Sequence, residues 1–138
     1  IKAEKLRIKI CALARTQLSD IEAIVDVSQK AQVPMEAIVI VGSSKVRHFV
    51  EGWDLKQIEK WITASIKFAL KNNLTVNFLT EDGTRTEPET LKRLYALAIR
   101  KGAKTVTLAD TVGAITPKGT RKIVRFLKNE VIKSGCPG

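Results

Sequence analysis

Several features that would place this chain in a class at once are missing from its sequence. No apolar run approaches the roughly 18 residues that a membrane-spanning helix needs, so we expect no membrane partner. The charged start is followed by no apolar signal core, and the first residue is Ile1 instead of an initiating Met. The sequence therefore predicts a cytoplasmic segment that begins inside a longer protein.

Groups that commonly hold metals, nucleotides or disulfides are equally scarce. The two cysteines, Cys11 and Cys136, lack the paired spacing of a metal site, and unpaired thiols favour a reducing compartment. His48 is the only histidine, and one histidine without a partner predicts no metal site. No GxGxxG or Walker phosphate loop occurs. The residues alone thus assign no metal ligand in this chain.

Acidic residues are outnumbered by basic ones. The chain has 24 lysines and arginines against 14 acidic residues, which gives a net charge of +10 and makes an anionic partner conceivable. Most of the basic residues, however, occupy helix positions opposite the apolar stripe, and no aromatic residues alternate with them to stack on bases. We therefore interpret the charge as a solvated outer face, and a nucleic-acid-binding domain is the least favoured alternative.

What the chain does contain is one strand-helix unit repeated four times. Short β-branched, apolar runs predict strands near 7–13, 37–41, 74–79 and 105–109, and an amphipathic helical pattern follows each. Alternation of this kind predicts an α/β fold with a parallel sheet. Two architectures fit: an open doubly wound sheet, or part of a (β/α)₈ barrel, which takes about 250 residues when complete.

Local signals predict where the helices begin and end. Three helices start with a pair of capping residues three positions apart: Ser19 with Glu22, Asp54 with Gln57, and Thr86 with Glu89. The last helix begins at Thr116 and Pro117 and is closed by Gly135 and Pro137. A loop is predicted over 42–53.

Polar residues gather directly after each predicted strand, at the sheet edge where α/β proteins bind ligands. They are Arg15 and Thr16, Ser43 to Lys45 with Arg47 and His48, Thr80 to Asp82, and Asp110 with Thr111. Arginine and threonine side chains there could hold a carboxylate substrate, and a glutamate could handle protons. The alternative for each residue alone is helix capping.

Four motifs resemble those of one enzyme family. Glu81-Asp82-Gly83-Thr84-Arg85-Thr86 resembles the Glu-Asp-x-x-Arg-[Ser/Thr] stretch of 2-isopropylmalate, citramalate and homocitrate synthases, and Ala109-Asp110-Thr111-Val112-Gly113 with Thr116-Pro117 is similar to their Asp-Thr-Val-Gly…Thr-Pro segment. The stretch 11–15 looks like a strand of isopropylmalate synthases, whereas 43–47 with Gly52 and Asp54 looks more like a loop of homocitrate synthases. The resemblance covers almost the whole chain in the family's order.

The resemblance implies a fold and an activity. Residues 1–138 would form a single segment, the central half of a TIM-barrel catalytic domain, with four parallel strands alternating with four helices. The complete transferase would condense acetyl-CoA with a 2-oxo acid for amino-acid biosynthesis, leucine among the products, with a divalent metal (Mg, Mn or Zn) and as a homo-oligomer. By position, Glu81 would be catalytic, Thr111 would contact the substrate carboxylate, and Arg47 and Thr80 would be further substrate-binding residues.

The chain also departs from the family. Asn77 stands where homocitrate synthases tend to have an arginine and Ala12 where they tend to have a histidine, so the 2-oxo acid stays open. The family's metal ligands, an Asp on the first strand and a late His-x-His pair, have no counterpart here, so we expect the 138 residues alone to be inactive. The alternative is a non-catalytic half-barrel that self-associates or pairs with another chain.

Overall fold

A computed structural model describes residues 8–133 of the chain. The expected strand start at Arg7, the second thiol, Cys136, and the closing residues Gly135 and Pro137 lie outside this range. Within it, no helix combines the length and the hydropathy that crossing a bilayer requires.

Four strands alternate with helices along the chain, as predicted. The strands are β1 (Ile10–Arg15), β2 (Met35–Gly42), β3 (Thr75–Glu81) and β4 (Thr105–Leu108). The helices are α1 (Leu18–Ala31), α2 (Lys45–Glu51), α3 (Leu55–Lys71), α4 (Pro88–Arg100) and α5 (Pro117–Phe126). A 3₁₀ turn (Gly83–Arg85) precedes α4, and α5 runs on into a π-helical turn (Leu127–Ile132).

The strands form one parallel sheet in the order β1-β2-β3-β4. Each strand therefore pairs with its sequence neighbour, and all carboxyl ends meet at one edge. This topology confirms the predicted α/β class with four parallel strands, and it decides against the open doubly wound sheet, whose strand order reverses at a switch point.

The two faces of the sheet differ sharply because side chains alternate along a strand. One face packs against the helices, and its buried centre includes Ala14, Val39 and Phe78. The other face has no covering layer among the described residues; it carries a row of Leu13, Ile38, Asn77 and Thr105, and a second row of Arg15, Ile40, Leu79 and Thr107. Leu13 is 60% exposed there. We call this surface the open face.

The helix-facing core fixes the sheet. Helix α3 contributes its stripe of Ile58, Ile62 and Ile66, each fully buried, as the helical periodicity predicts. Helices α1 and α4 pack on either side of it. The core thus holds the strands rigidly enough for their carboxyl ends to carry a site.

The structure corrects the predicted loop at 42–53, which contains the two-turn helix α2. Ser44 caps it by accepting a hydrogen bond from the backbone amide of Arg47, and Gly52 ends it in a left-handed conformation (φ +66°). Because no residue of α2 is buried, its sequence has no core-facing stripe to reveal it.

Two of the three predicted capping boxes are also wrong. Helix α1 begins at Leu18, and the Asp20 carboxylate accepts hydrogen bonds from the backbone and guanidinium of Arg15. Helix α4 begins at Pro88, and the Thr86 hydroxyl instead bonds across to the loop after β2. Neither helix has a side-chain cap, and at α4 the predicted capping residue binds a distant loop instead. The Asp54 cap of α3 and the Thr116 cap of α5 are formed as predicted.

Candidate functional site

A cleft of about 260 Å³ opens at the carboxyl edge of the sheet, above β1, β2 and β3. Its lining combines charged and polar side chains with an aromatic wall: Arg15, Gln17, Arg47, Glu51 and Glu81 with Trp53 and Trp61. Glu81 is the last residue of β3 and comes two residues after Leu79, so its side chain lies on the open face. The predicted residues Glu81 and Arg47 are therefore brought together.

Arg47 is the centre of this cleft. Its Nη1 lies 3.1 Å from Glu51 Oε1, its Nε lies 3.8 Å from Glu81 Oε1, and the guanidinium stands 5.8 Å from the centroid of the Trp53 ring. Trp53 in turn packs edge-to-face on Trp61. Among the described residues, Arg47 Nε is buried without a hydrogen-bond partner. Arg47 Nε therefore lies near the Glu81 carboxylate without a hydrogen bond between them, while Arg47 as a whole lines the cleft.

Arg15 lies on the rim of the same cleft but is already engaged. Its Nε and Nη2 donate to the two carboxylate oxygens of Asp20 at 2.7 and 2.9 Å. The Arg15 guanidinium lowers the pKa of Asp20 below its ordinary value. This bidentate pair closes the turn between β1 and α1 and leaves Arg47 as the guanidinium nearest Glu81.

Thr80 does not join the cleft. It is fully buried on the helix-facing side of β3, where its hydroxyl lies 2.6 Å from that of Tyr95. Tyr95 also donates to the carbonyl of Thr107, 2.8 Å away. Burial raises the pKa of Tyr95 to about 12. The structure thus gives Thr80 a packing partner on α4, on the opposite face of β3 from Glu81.

Thr111 is exposed in the loop after β4, and it is not among the cleft's lining residues. Its hydroxyl oxygen accepts a 2.8 Å hydrogen bond from the backbone amide of Asp82, the residue after Glu81. Since the oxygen is held as an acceptor, the hydroxyl proton is left to point elsewhere. Thr111 is therefore connected to Glu81 through one backbone unit.

Asp110 organises the loop that carries Thr111. Its carboxylate accepts hydrogen bonds from the Thr84 hydroxyl at 2.7 Å and from the backbone amides of Ala114 and Ile115. The Thr84 hydroxyl, together with these amides, lowers the pKa of Asp110. The polar motifs that follow β3 and β4 thus bind each other, and some of their polar side chains stabilise the two loops themselves.

Part of the cleft is not visible in the sequence. Trp61 fits the apolar stripe of α3, and Glu51 and Trp53 fall in the predicted loop, so their approach to Arg47 depends on α2.

Ala12 packs with the helix-facing core, whereas Asn77 lies on the open face and accepts a hydrogen bond from Thr107. Neither residue lines the cleft, and of these two departures from homocitrate synthases only Asn77 shares the open face with Glu81.

The described residues alone contain no cluster of side chains that would hold a metal ion. Across residues 8–133, no three side chains of histidine, cysteine, aspartate or glutamate lie close enough together to hold one. The acidic residues of the loops after β3 and β4 are instead committed to arginines, hydroxyls and backbone amides. Their oxygens therefore stabilise the loops themselves.

Parallel strands in sequential order, with helices on one face and polar loops at the carboxyl ends, define part of a (β/α)₈ barrel of the enzyme type. Solved structures agree on the fold: a hydroxymethylglutaryl-CoA lyase from Pseudomonas aeruginosa superposes with a TM-score of 0.73 at 18% identity, covering 93% of this chain and 43% of that one. A second such lyase, from Bacillus subtilis, gives a TM-score of 0.70 over 88% of this chain and 41% of its own, also at 18% identity.

Sequence comparison gives the family. The HMGL-like family model matches residues 1–137, and the chain belongs to that family. A 2-isopropylmalate synthase of Methylacidiphilum infernorum is 33% identical over 124 residues, which are 89% of this chain and 24% of that protein. A homocitrate synthase of Methanothermobacter thermautotrophicus is also 33% identical, over 95% of this chain and 32% of its own length. The chain thus spans about a quarter to a third of the curated relatives it matches.

Proposed function

We propose that this chain is the central half of the barrel of a cytoplasmic condensing transferase that joins acetyl-CoA to a 2-oxo acid, in the manner of 2-isopropylmalate synthases. The observation that carries the proposal is the cleft in which Arg47 and Glu81 meet. Its support from outside the structure is the set of relatives, whose names are those of 2-isopropylmalate, homocitrate and citramalate synthases.

In this proposal the reaction forms a carbon–carbon bond and breaks a thioester. The acetyl methyl group loses a proton and attacks the keto carbon of the 2-oxo acid, and water then hydrolyses the thioester to release free CoA. Arg47, which lines the cleft beside Glu81, binds the substrate carboxylate. Thr111, which is held to the residue after Glu81 but does not line the cleft, is a further substrate contact in this proposal. Glu81 handles protons beside them.

The divalent metal of this chemistry is assigned to no residue of the chain. We propose that its ligands belong to other parts of the complete enzyme, as the family resemblance implies, and that the 138 residues alone are inactive. We leave Thr80 out of the proposed substrate-binding set, because its hydroxyl is buried against Tyr95 on the helix side.

The test uses the complete protein as its cell produces it. Free CoA thiol is measured with acetyl-CoA and, in turn, pyruvate, 2-oxoisovalerate and 2-oxoglutarate. We expect release that depends on one of these acids. Because a positioned proton-transfer group contributes about 10²- to 10⁴-fold, Glu81→Gln is expected to lower kcat by at least about 10²-fold. Arg47→Gln is expected to act mainly through the KM of the 2-oxo acid.

The matched control is Glu59→Gln, which removes a carboxylate that also pairs with an arginine, Arg93, but on the outer surface between α3 and α4. Its kinetics should equal those of the wild type. Absence of CoA release with every acid, or full activity of Glu81→Gln, would contradict the proposal.

One observation favours a second candidate, the non-catalytic half-barrel that pairs with itself or with another chain. The open face exposes apolar side chains, and the outer edges of β1 and β4 have no neighbouring strand among the described residues. Unpaired parallel edges next to an uncovered apolar face favour pairing with more sheet. In that candidate the cleft would have no catalytic role, so the CoA-release assay separates the two.

A further inference from the structure

Asp82 follows Glu81 at the end of β3, and nearly every polar atom of this residue is used. The residue is only 2% exposed, and its backbone is left-handed (φ +58°), a conformation that is uncommon outside glycine, asparagine and aspartate. Such a backbone persists only where its surroundings determine it. The hydrogen bonds of Asp82 show both what holds this residue and what it holds.

The carboxylate of Asp82 holds the turn that follows β3. It accepts two parallel hydrogen bonds from Arg85, at 2.7 and 2.8 Å. The Arg85 guanidinium thereby lowers the pKa of the Asp82 carboxyl. This pair keeps the backbone of Asp82 in place, so that its amide and carbonyl can bind the neighbouring loops.

The backbone amide of Asp82 connects the loop after β3 to the loop after β4. It donates a 2.8 Å hydrogen bond to the Thr111 hydroxyl oxygen. This bond fixes which lone pair of the hydroxyl is used. It therefore also limits the directions left for the hydroxyl proton.

The backbone carbonyl of Asp82 is linked to Glu81 through two hydroxyl groups. It accepts a hydrogen bond from the hydroxyl of Thr86, which lies 2.6 Å from the hydroxyl of Ser43. Ser43 donates to the carbonyl of Glu81 from its backbone amide, at 3.1 Å, and from its hydroxyl, at 3.2 Å. The turn that aims the Glu81 side chain is thus closed through the loop after β2. The next residue of that loop, Ser44, caps α2 by accepting a hydrogen bond from the backbone amide of Arg47.

We propose that Asp82 is the positioning residue of the site. Its carbonyl and amide set Arg47, Glu81 and Thr111 relative to one another through the loops after β2 and β4, and its carboxylate holds the turn in place through Arg85. The roles of those three residues rest on the proposed function, whereas the hydrogen bonds that connect them do not. Asp82 itself does not line the cleft. Its effect on a ligand is indirect, through the loops after β2 and β4.

The test compares Asp82→Asn with Glu59→Gln in the isotopically labelled 138-residue chain, by the backbone amide resonances of the folded protein. Asparagine tolerates the left-handed backbone and keeps the size of the side chain, so the change removes mainly the charge. We expect Asp82→Asn to shift the amides of Ser44 and Arg47, and those of Asp82 and Thr111, while the amides of Ile62 and Val76 in the core stay in place. Glu59→Gln, which breaks a similar pair elsewhere, should move none of these.

A residue that merely stabilised the fold would lower the unfolding temperature and leave the folded-state resonances of Arg47 and Thr111 unchanged, and that result overturns the proposal. If Asp82→Asn does not fold, Arg85→Lys serves instead, since lysine keeps the charge but loses the two-nitrogen fork. It should shift the same amides by less. Changes confined to 81–86 in either variant refute the inference.

A binding measurement on the complete protein adds the functional arm. The probe is the 2-oxo acid that supports CoA release, and Asp82→Asn should weaken its binding by about tenfold or more, as displaced site groups do. Glu59→Gln should bind as the wild type does. If the wild-type protein binds no 2-oxo acid, the proposed function fails, and the resonance pattern still decides whether Asp82 positions the three residues.

Discussion

At the scale of single residues, Tyr95 offers the cleanest measurement because it is the only tyrosine of the chain. Its hydroxyl is buried between Thr80 and the carbonyl of Thr107, and burial raises its pKa to about 12. The phenolate absorbance should therefore rise around pH 12, well above the usual value near 10. A transition near pH 10 in protein that is still folded would show that the hydroxyl is exposed.

The raised pKa of Tyr95 also determines how the stability of the fold depends on pH. A pKa raised on folding contributes stability that is complete below the unfolded value and is lost as pH rises toward the folded value. Alkali should therefore destabilise the chain between about pH 10 and 12 through this residue. Tyr95→Phe should remove that pH dependence and cost about 1–3 kcal/mol at neutral pH, because Thr80 and the Thr107 carbonyl lose a buried partner.

Residues also mark the limit of what the sequence predicts. Asp54 and Thr116 cap their helices as predicted. Ser19 and Thr86 carry the same local signal but cap no helix: α1 begins at Leu18 without a side-chain cap, and the Thr86 hydroxyl lies 2.6 Å from that of Ser43. A capping pattern in the sequence does not show whether a residue from another loop will bind the same side chain. Such partners are common at the carboxyl edge of this sheet.

At the scale of elements, the end of a helix is where glycine matters most in this chain. Gly52 closes α2 at φ +66° and Gly102 follows α4 at φ +107°. An added Cβ would meet nothing within 4 Å at Gly52, whereas at Gly102 it would lie 2.6 Å from the Leu70 side chain. Gly102 also lies farther from the left-handed minimum near +57° that other residues tolerate.

Alanine at the two positions should therefore cost different amounts. We expect Gly52→Ala to lower the free energy of unfolding by about 1 kcal/mol through backbone strain alone, and Gly102→Ala to cost more. Urea denaturation of both variants checks this. Equal losses would mean that the Leu70 side chain moves aside freely and that the two backbones are equally strained.

Helix α2 explains why the sequence predicts four helices where residues 8–133 form five α-helices. Helices α1, α3 and α4 bury an apolar face, and their 3.6-residue periodicity is visible in the sequence. Helix α2 buries nothing, and only its capping residues Ser44 and Gly52 indicate it. The candidate site depends on this helix for Arg47, so the part of the site that the sequence leaves unplaced is the part held by a helix outside the core.

At the scale of the whole molecule, the sheet is covered on one side only, as far as residues 8–133 extend. The helix-facing side is a packed core, while the open face presents Leu13, Ile38, Ile40 and Leu79 in two rows. Soluble monomers rarely leave a contiguous apolar sheet surface uncovered. Sequential strand order also leaves the outer edges of β1 and β4 parallel, so further strands running in the same direction can extend the sheet at both edges.

The 138-residue chain on its own should therefore self-associate through the open face, and light scattering after size-exclusion chromatography measures this. Leu13→Lys, at a side chain that is 60% exposed, should shift the chain toward the monomer because a charge cannot be buried against apolar side chains without cost. Val124→Lys is the matched control, since Val124 is 55% exposed on α5 and should leave association unchanged. Phe49, which is 89% exposed on α2, lies on a different apolar surface through which the chains could associate instead. If Phe49→Lys dissociates the chain and Leu13→Lys does not, the contact lies beside the cleft, and the open face is not what draws the chains together.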